Sequence, residues 1–266
     1  MLRLRWTEYL IEAWGLGTFL LSAGMFSALF TAPSSRLYIC DPWLARGVMG
    51  MVIGLTAIGI TYSPWGKRSG SHLNPAVTLT FLRLGKITPV DSLGYVLAQI
   101  IGGLGGVLLT SMLLGMLFTA PPVNYIVTVP GSSGVWVAFG SEVLIALGMM
   151  SMVLWSSNHP RWRLYTGILA GCLVCLYVVI EAPLSGFGMN PARSLASALP
   201  SGVWTAFWIY LSAPLVGMLL AAEIYVRTRG LEHVYCAKLQ HSHQGHNCIF
   251  NCNYGQFREQ FRDSFK

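Results

Sequence analysis

The chain has 266 residues, of which 54% are hydrophobic and 10% charged, and its formal net charge is +7. Its mean hydropathy is +0.57. A soluble domain carries about 25% charged residues, so a soluble enzyme, a disordered chain and a nucleic-acid module are excluded, and a polytopic membrane protein remains.

A helix needs roughly 20 apolar residues to cross about 30 Å of hydrocarbon. In chain order, no charge falls between Glu12 and Arg36, Arg46 and Lys67, Asp91 and Glu142, Glu142 and Arg161, Arg163 and Glu181, or Arg193 and Glu223. The stretch from Asp91 to Glu142 is too long for one span, and Ala120-Pro121-Pro122 to Pro130-Gly131 breaks it near the middle. Six spans are predicted, at about 7–30, 44–62, 91–118, 134–156, 162–181 and 203–226. A strand barrel would show alternating segments of about ten residues, not continuous apolar runs. The first span is not read as a cleaved signal peptide: Glu8 and Glu12 lie in it, it is too long for an h-region, and five more spans follow.

Placing both termini inside puts fourteen Lys and Arg residues on the cytoplasmic side and leaves Arg36, Arg46 and Arg193 at or near the outer leaflet. That bias sets the orientation and accounts for much of the positive charge without any nucleic acid.

Two segments repeat. Ser69-Gly70-Ser71-His72-Leu73-Asn74-Pro75-Ala76-Val77-Thr78-Leu79 follows the second span, and Ser185-Gly186-Phe187-Gly188-Met189-Asn190-Pro191-Ala192-Arg193-Ser194-Leu195 follows the fifth. Each half also has an acidic residue in its opening span, Glu12 and Glu142. Three spans per half is an odd number, so the second half lies upside down relative to the first. Asn is a preferred N-cap and Pro a preferred first helical residue, so helices should start at Pro75 and Pro191. About ten residues precede Gly85 in the first, which at 1.5 Å per residue gives about 15 Å, half a bilayer. Two such half-helices from opposite faces meet N-terminus to N-terminus at the midplane. Their positive dipole ends and the Asn74 and Asn190 amides then converge on one gap. The expected architecture is all-α, with six transmembrane helices and two re-entrant half-helices in an inverted repeat. A channel domain spans 1–229 (repeats about 5–118 and 134–227), followed by a tail at 230–266.

The doubled Asn-Pro-Ala with its following Arg193 resembles the aquaporin and glycerol-facilitator (major intrinsic protein) family over about residues 5–227. The resemblance implies a pore in each protomer of a homotetramer, set in lipid in the plasma (inner) membrane, and no enzymatic activity. It places the central constriction at Asn74, Pro75, Ala76, Asn190, Pro191 and Ala192. It places an outer filter at Val178, Phe187, Arg193 and either Ile53 or Gly54. Glu12 and Glu142 match positions that bind backbone amides of the re-entrant loops, and His72 falls in a vestibule. A strict water channel of the family has His where Val178 stands and an aromatic residue near Ile53, so the opening implied is wider and less polar. Phe187-Gly188-Met189 resembles glycerol facilitators, and Leu211 departs from the water type. Ser194, Ala198, Tyr210 and the short loops near 119–133 and 199–203 resemble water channels. Water is the expected substrate, with glycerol, urea, ammonia or hydrogen peroxide as the alternative. A gradient-coupled transporter would need coupling groups, and the membrane interior offers only Glu12, Glu142 and Arg193.

From Gly230 the composition changes. Cys236, His241, His243, His246, Cys248 and Cys252 fall within 17 residues. Such residues can form a tetrahedral zinc site in a reducing cytoplasm, with Cys236, Cys248, Cys252 and one of His241 or His246 among its ligands. A disordered His-rich tail is the alternative, and transport itself requires no cofactor. Cys40, Cys172 and Cys175 read as packing residues.

Overall fold

The structure is a computed structural model and describes residues 4–241 and 248–260; His246 lies outside them. In chain order the helices are α1 (Trp6–Thr31), α2 (Pro42–Tyr62), α3 (Pro64–Ser69), α4 (Pro75–Arg83), α5 (Pro89–Leu114) and α6 (Met116–Thr119). The second half follows with α7 (Val135–Ser157), α8 (Thr166–Ile180), α9 (Ala182–Ser185), α10 (Pro191–Ser201), α11 (Trp208–Arg229) and α12 (Tyr254–Gln260). Five of these, α1, α2, α5, α7 and α11, are long and apolar enough to cross a membrane. Several starts follow one local rule, a side-chain cap and then proline. Asp41, Ser63, Asn74, Thr88 and Asn190 each accept a hydrogen bond from a first-turn amide, and proline follows each of them. A cap of this kind contributes about 1 kcal/mol.

Three predicted boundaries move. The expected span 162–181 begins only at Thr166, and α8 has 15 residues. Pro183 has no N–H to continue the ladder, but Glu181 stays in the right-handed region and α9 carries the chain on to Ser185. The span expected at 91–118 breaks at Gly115, whose φ of 51° ends α5 before the short α6. The span expected at 203–226 starts later, at Trp208, after Ala206 at φ 49°.

The packing repeats as the sequence does. The α1–α5 pair matches α7–α11, α2 lies against α8, α4 lies against α5 and α11, and α10 lies against α5. The half-helices α4 and α10 have 9 and 11 residues, about 14 and 16 Å at 1.5 Å per residue. Lipid gives no hydrophobic drive between helices, so small residues let the backbones touch. A Cβ on Gly102 would meet the Ala13 carbonyl oxygen at 2.0 Å, and one on Gly106 the Gly17 oxygen at 2.3 Å. Gly106→Leu is therefore expected to pry α1 from α5 and cost at least about 3 kcal/mol. A melting curve of the detergent-solubilised variant that overlays the parent would refute this contact.

The ends of α1 and α11 lie on one face, called the terminal face below. There Arg68 pairs with Glu8 at 2.9 Å, and Tyr9 donates to Asp91 at 2.8 Å.

Candidate functional site

Each re-entrant loop is tied to one buried carboxylate. Glu12 accepts from Ser69 Oγ (2.7 Å), the amides of His72 (3.2 Å) and Leu73 (2.6 Å), and Gln99 Nε2 (2.9 Å). In the second half Glu142 accepts from the amides of Gly188 (2.6 Å) and Met189 (2.5 Å) and contacts the Ser185 hydroxyl. Both carboxylates are fully buried. Tyr95 donates to the Ser69 carbonyl at 2.7 Å, and Tyr210 to the Ser185 carbonyl at 2.6 Å. The backbone repeats too: Gly70, Ser71 and Leu73 have φ of 93°, 56° and 50°, and Gly186, Phe187 and Met189 have 82°, 56° and 49°. A left-handed residue other than glycine costs about 1–2 kcal/mol, so these loops need the surrounding hydrogen bonds to hold them.

The two loops then bond to each other. Asn74 Nδ2 donates to the Met189 carbonyl at 2.8 Å, and Asn190 Nδ2 donates to the Leu73 carbonyl at 2.7 Å. Each Oδ1 caps its own half-helix, at Ala76 N (2.8 Å) and at Ala192 N and Arg193 N (3.0 and 3.2 Å). The sequence has both amides offering donors into the gap. One N–H of each is in fact committed across the repeat, which leaves one for a molecule between them.

A cavity of about 120 Å³ runs past this junction, several times the roughly 15 Å³ that one water needs on the same measure. Its wall combines Leu16, Phe19, Val77, Met149, Val174 and Met218 with Ser71, His72, Asn74, Asn190 and Arg193. Pro75, Ala76, Pro191 and Ala192 are buried as the first turns of the two half-helices. Arg193 Nη1 donates to the Ile126 carbonyl at 2.8 Å. That carbonyl belongs to a connection in which Asn124, Tyr125 and Ile126 all have positive φ. Phe187 lines the cavity. Ile53 and Val178 are buried in the same apolar cluster as Phe187 but are not part of the cavity wall. At Gly54 a Cβ would strike the Gly171 oxygen at 2.5 Å, so this face of α2 serves contact with α8.

Several site residues escaped sequence reasoning. Ser69 and Ser185 open the repeated segments, and Tyr95 and Tyr210 follow them by 26 and 25 residues; that recurring interval was a usable signal. Gln99 and the Ile126 carbonyl carried none. Glu181, buried beside Ser185 and hydrogen-bonded to it, stood out in the sequence only as an interruption in an apolar run.

On the terminal face the described residues of 234–251 pack against the long helices and their loops. Tyr235 N donates to Asn158 Oδ1 (2.9 Å), Leu239 N to the Gly70 carbonyl (3.1 Å) and Asn251 N to the Lys86 carbonyl (3.0 Å). His72 lies between Phe81 and Phe250, its ring stacked on both at 5.2 and 5.4 Å, and Nε2 donates to the Ala237 carbonyl at 2.9 Å. Cys236, His241, Cys248 and Cys252 bring four ligand atoms within 4.8 Å of one another, so this cluster can hold a metal ion. Burial pushes the Cys236 thiol well above its ordinary range, whereas hydrogen bonds from Cys236 and Cys252 hold the Cys248 thiol far below it. Burial lowers the Lys86 ammonium, opposed by the nearby Cys236 and Cys252.

The family model described as major intrinsic protein matches residues 6–225. A probable aquaporin of the NIP type from Nicotiana alata is 34% identical over 189 residues, covering 70% of this chain and 64% of that protein. Nodulin-26 from Glycine max is 33% identical over 178 residues, covering 66% of this chain and 64% of that protein. The chain thus spans just under two thirds of the length of these relatives. The X-ray structure of the aquaglyceroporin from Plasmodium falciparum superposes with a TM-score of 0.66 at 21% identity, covering 82% of this chain and 94% of that one, a likeness of fold. With 220 matched positions that include both Asn-capped half-helices and the carboxylates beneath them, this chain belongs to the major intrinsic protein family.

Proposed function

We propose that the chain is a passive transmembrane channel for water, open also to small neutral solutes and closed to protons and ions. The observation that carries this reading is the meeting of two Asn-capped half-helices on the wall of one cavity. Each helix N-terminus is equivalent to roughly half a positive charge, so two of them beside the Arg193 guanidinium repel cations and hydronium. The free N–H groups of Asn74 and Asn190 offer two donors to one water oxygen, which uses both of its lone pairs. A water held so cannot accept a proton from its neighbour, while the apolar wall offers an ion nothing in place of its hydration. Ser71, His72, Phe187 and Gly188 line the cavity, and their carbonyls are assigned as acceptors for water on either side. The outer filter is assigned to Ile53, Val178, Phe187 and Arg193, with Ile53 preferred because Gly54 faces α8. Transport of this kind calls on no catalytic group and no cofactor.

The apolar Ile53 and Val178 favour a second reading, a facilitator of glycerol and similar solutes. Stopped-flow light scattering on proteoliposomes separates the two. Under an impermeant osmolyte the channel is expected to speed shrinkage; under inward glycerol, fast re-swelling would move the assignment to the solute facilitator. Both fluxes equal to those of empty liposomes would defeat the channel reading altogether.

The assembly inferred from the family is a homotetramer in a plasma or inner membrane, and the fourteen-to-three distribution of Lys and Arg supports cytoplasmic termini. The tail cluster is assigned to zinc. Tetrahedral zinc with Zn–S bonds of about 2.3 Å puts two sulfurs about 3.8 Å apart. Here Cys236 Sγ and Cys248 Sγ are 3.6 Å apart, and Cys252 Sγ lies 3.3 Å from His241 Nε2. Three thiolates and a neutral imidazole around a divalent ion leave one negative charge, which the buried Lys86 offsets.

A further inference from the structure

The metal cluster and the cavity are joined by one short piece of chain. Cys236 is a cluster residue, and three positions later Leu239 forms part of the cavity wall. Between them the Ala237 carbonyl takes the Nε2 hydrogen bond of His72, itself a wall residue. On the other side of the cluster, Cys248 and Cys252 bracket Phe250, whose ring covers His72, and Asn251, which donates from Nδ2 to the Gly85 carbonyl at 2.8 Å and from its backbone to Lys86. Residues 236–239 therefore reach the cavity wall at Leu239, and residues 249–251 lie against His72 and the loop at 85–86, as two strands of one strap. Val234, Ala237, Leu239 and Phe250 are all buried there.

Beside the cluster, the two strands are joined by the His241 ring stacked on Tyr254 at 3.9 Å and by Tyr235 packed with Tyr254 and Cys252. The Asn253 amide donates to the Tyr235 carbonyl at 2.8 Å, while the bonds of Leu239 and Asn251 run from the strap to the channel body. Four ligands drawn from both strands complete the clasp that makes the strap a single unit. Metal sites of this kind supply folding energy to segments too small to bury a core.

Resting on the zinc assignment above, we propose that this metal clasp is a gate. Zinc at Cys236, His241, Cys248 and Cys252 holds the strap over the inner mouth, with Leu239 narrowing the cavity and Phe250 fixing His72. Loss of the ion frees the strap and widens the mouth. The signal read at this site is the supply of a thiophilic divalent cation. Because three of its four ligands are thiolates, a thiol-reactive oxidant or a competing soft metal reaches the same switch.

The test uses the full chain in proteoliposomes, with zinc content measured by mass spectrometry and osmotic water permeability by stopped flow. Stoichiometric zinc is expected. A permeant chelator should raise permeability several-fold, and added zinc should restore the slow rate. Cys248→Ser combined with Cys252→Ser should be fast, free of zinc and indifferent to chelator. Protein that carries no zinc overturns the metal assignment and the gate together. Zinc that is bound and removed with no change in permeability overturns the gate and leaves the metal site standing. A rise that zinc fails to reverse, or one accompanied by proton leak, is damage to the channel and also overturns the gate.

Discussion

Replacing Glu12 with alanine is expected to leave no folded channel. Four donors converge on this carboxylate: the Ser69 hydroxyl, the His72 and Leu73 amides, and the Gln99 side chain. A buried donor stranded without a partner costs about 1–3 kcal/mol, so the substitution forfeits roughly 4–12 kcal/mol against a net stability of about 5–15 kcal/mol. The loop it releases contains Ser71 and Leu73 in left-handed conformations, which relax once the acceptor is gone, and Asn74 then loses its aim. Size-exclusion chromatography of the solubilised variant should show aggregate in place of a single oligomeric peak. Glu12→Gln retains the shape and one acceptor but turns an amide toward donors. It is expected to fold with a lowered melting temperature and reduced water flux. An alanine variant that elutes and conducts like the parent would show that the carboxylate is not what holds the loop.

The second large effect is expected at Arg193. Arg193→Val removes a full positive charge from the cavity wall and opens space near Phe187. A unit charge acting over about 5 Å at an effective dielectric of about 20 is worth about 3 kcal/mol, or roughly two orders of magnitude in the entry of a cation. The half-helix ends remain, so exclusion weakens without vanishing. Glycerol and urea should pass markedly faster, water should be little changed, and liposomes loaded with a pH-sensitive dye should show a faster proton leak. Wild-type rates for all three would remove the Arg193 charge from selectivity and leave it the structural role of binding the Ile126 carbonyl.

How much of this was readable from the sequence depended on the range of the interactions. The half-helices start where expected, at Pro75 and Pro191, because an Asn cap and a first-turn proline act within four residues. The spans were visible as gaps between charges, and they erred where a single residue overrides composition: Gly115 ends one helix, and Ala206 in the left-handed region delays the start of another to Trp208. The neighbours of Glu12 and Glu142 were reachable only through the family resemblance, since Gln99 lies 87 residues from Glu12 and Gly188 lies 46 from Glu142. Choosing between Ile53 and Gly54 needed the direction of a Cβ, which no spacing supplies. The tail was read as a possible metal site from its Cys and His residues. Its position against the cavity wall was hidden, because it rests on bonds to the carbonyls of Gly70, Gly85 and Lys86 more than 150 residues earlier.

The crossed bonds between Asn74 and Met189 and between Asn190 and Leu73 also govern how the protein is made. The partner carbonyl of Asn74 is 115 residues downstream, and at about 5–20 residues per second those residues take roughly 6–23 s to synthesise. Through that interval the first three spans stand in the bilayer with an unfilled socket at their centre, holding an amide and a carbonyl that nothing in their own half can satisfy. The insertion machinery must shelter this half-built bundle until the inverted half arrives. Neither half is a domain in its own right: each is completed only by its inverted counterpart, related to it by a pseudo-two-fold rotation.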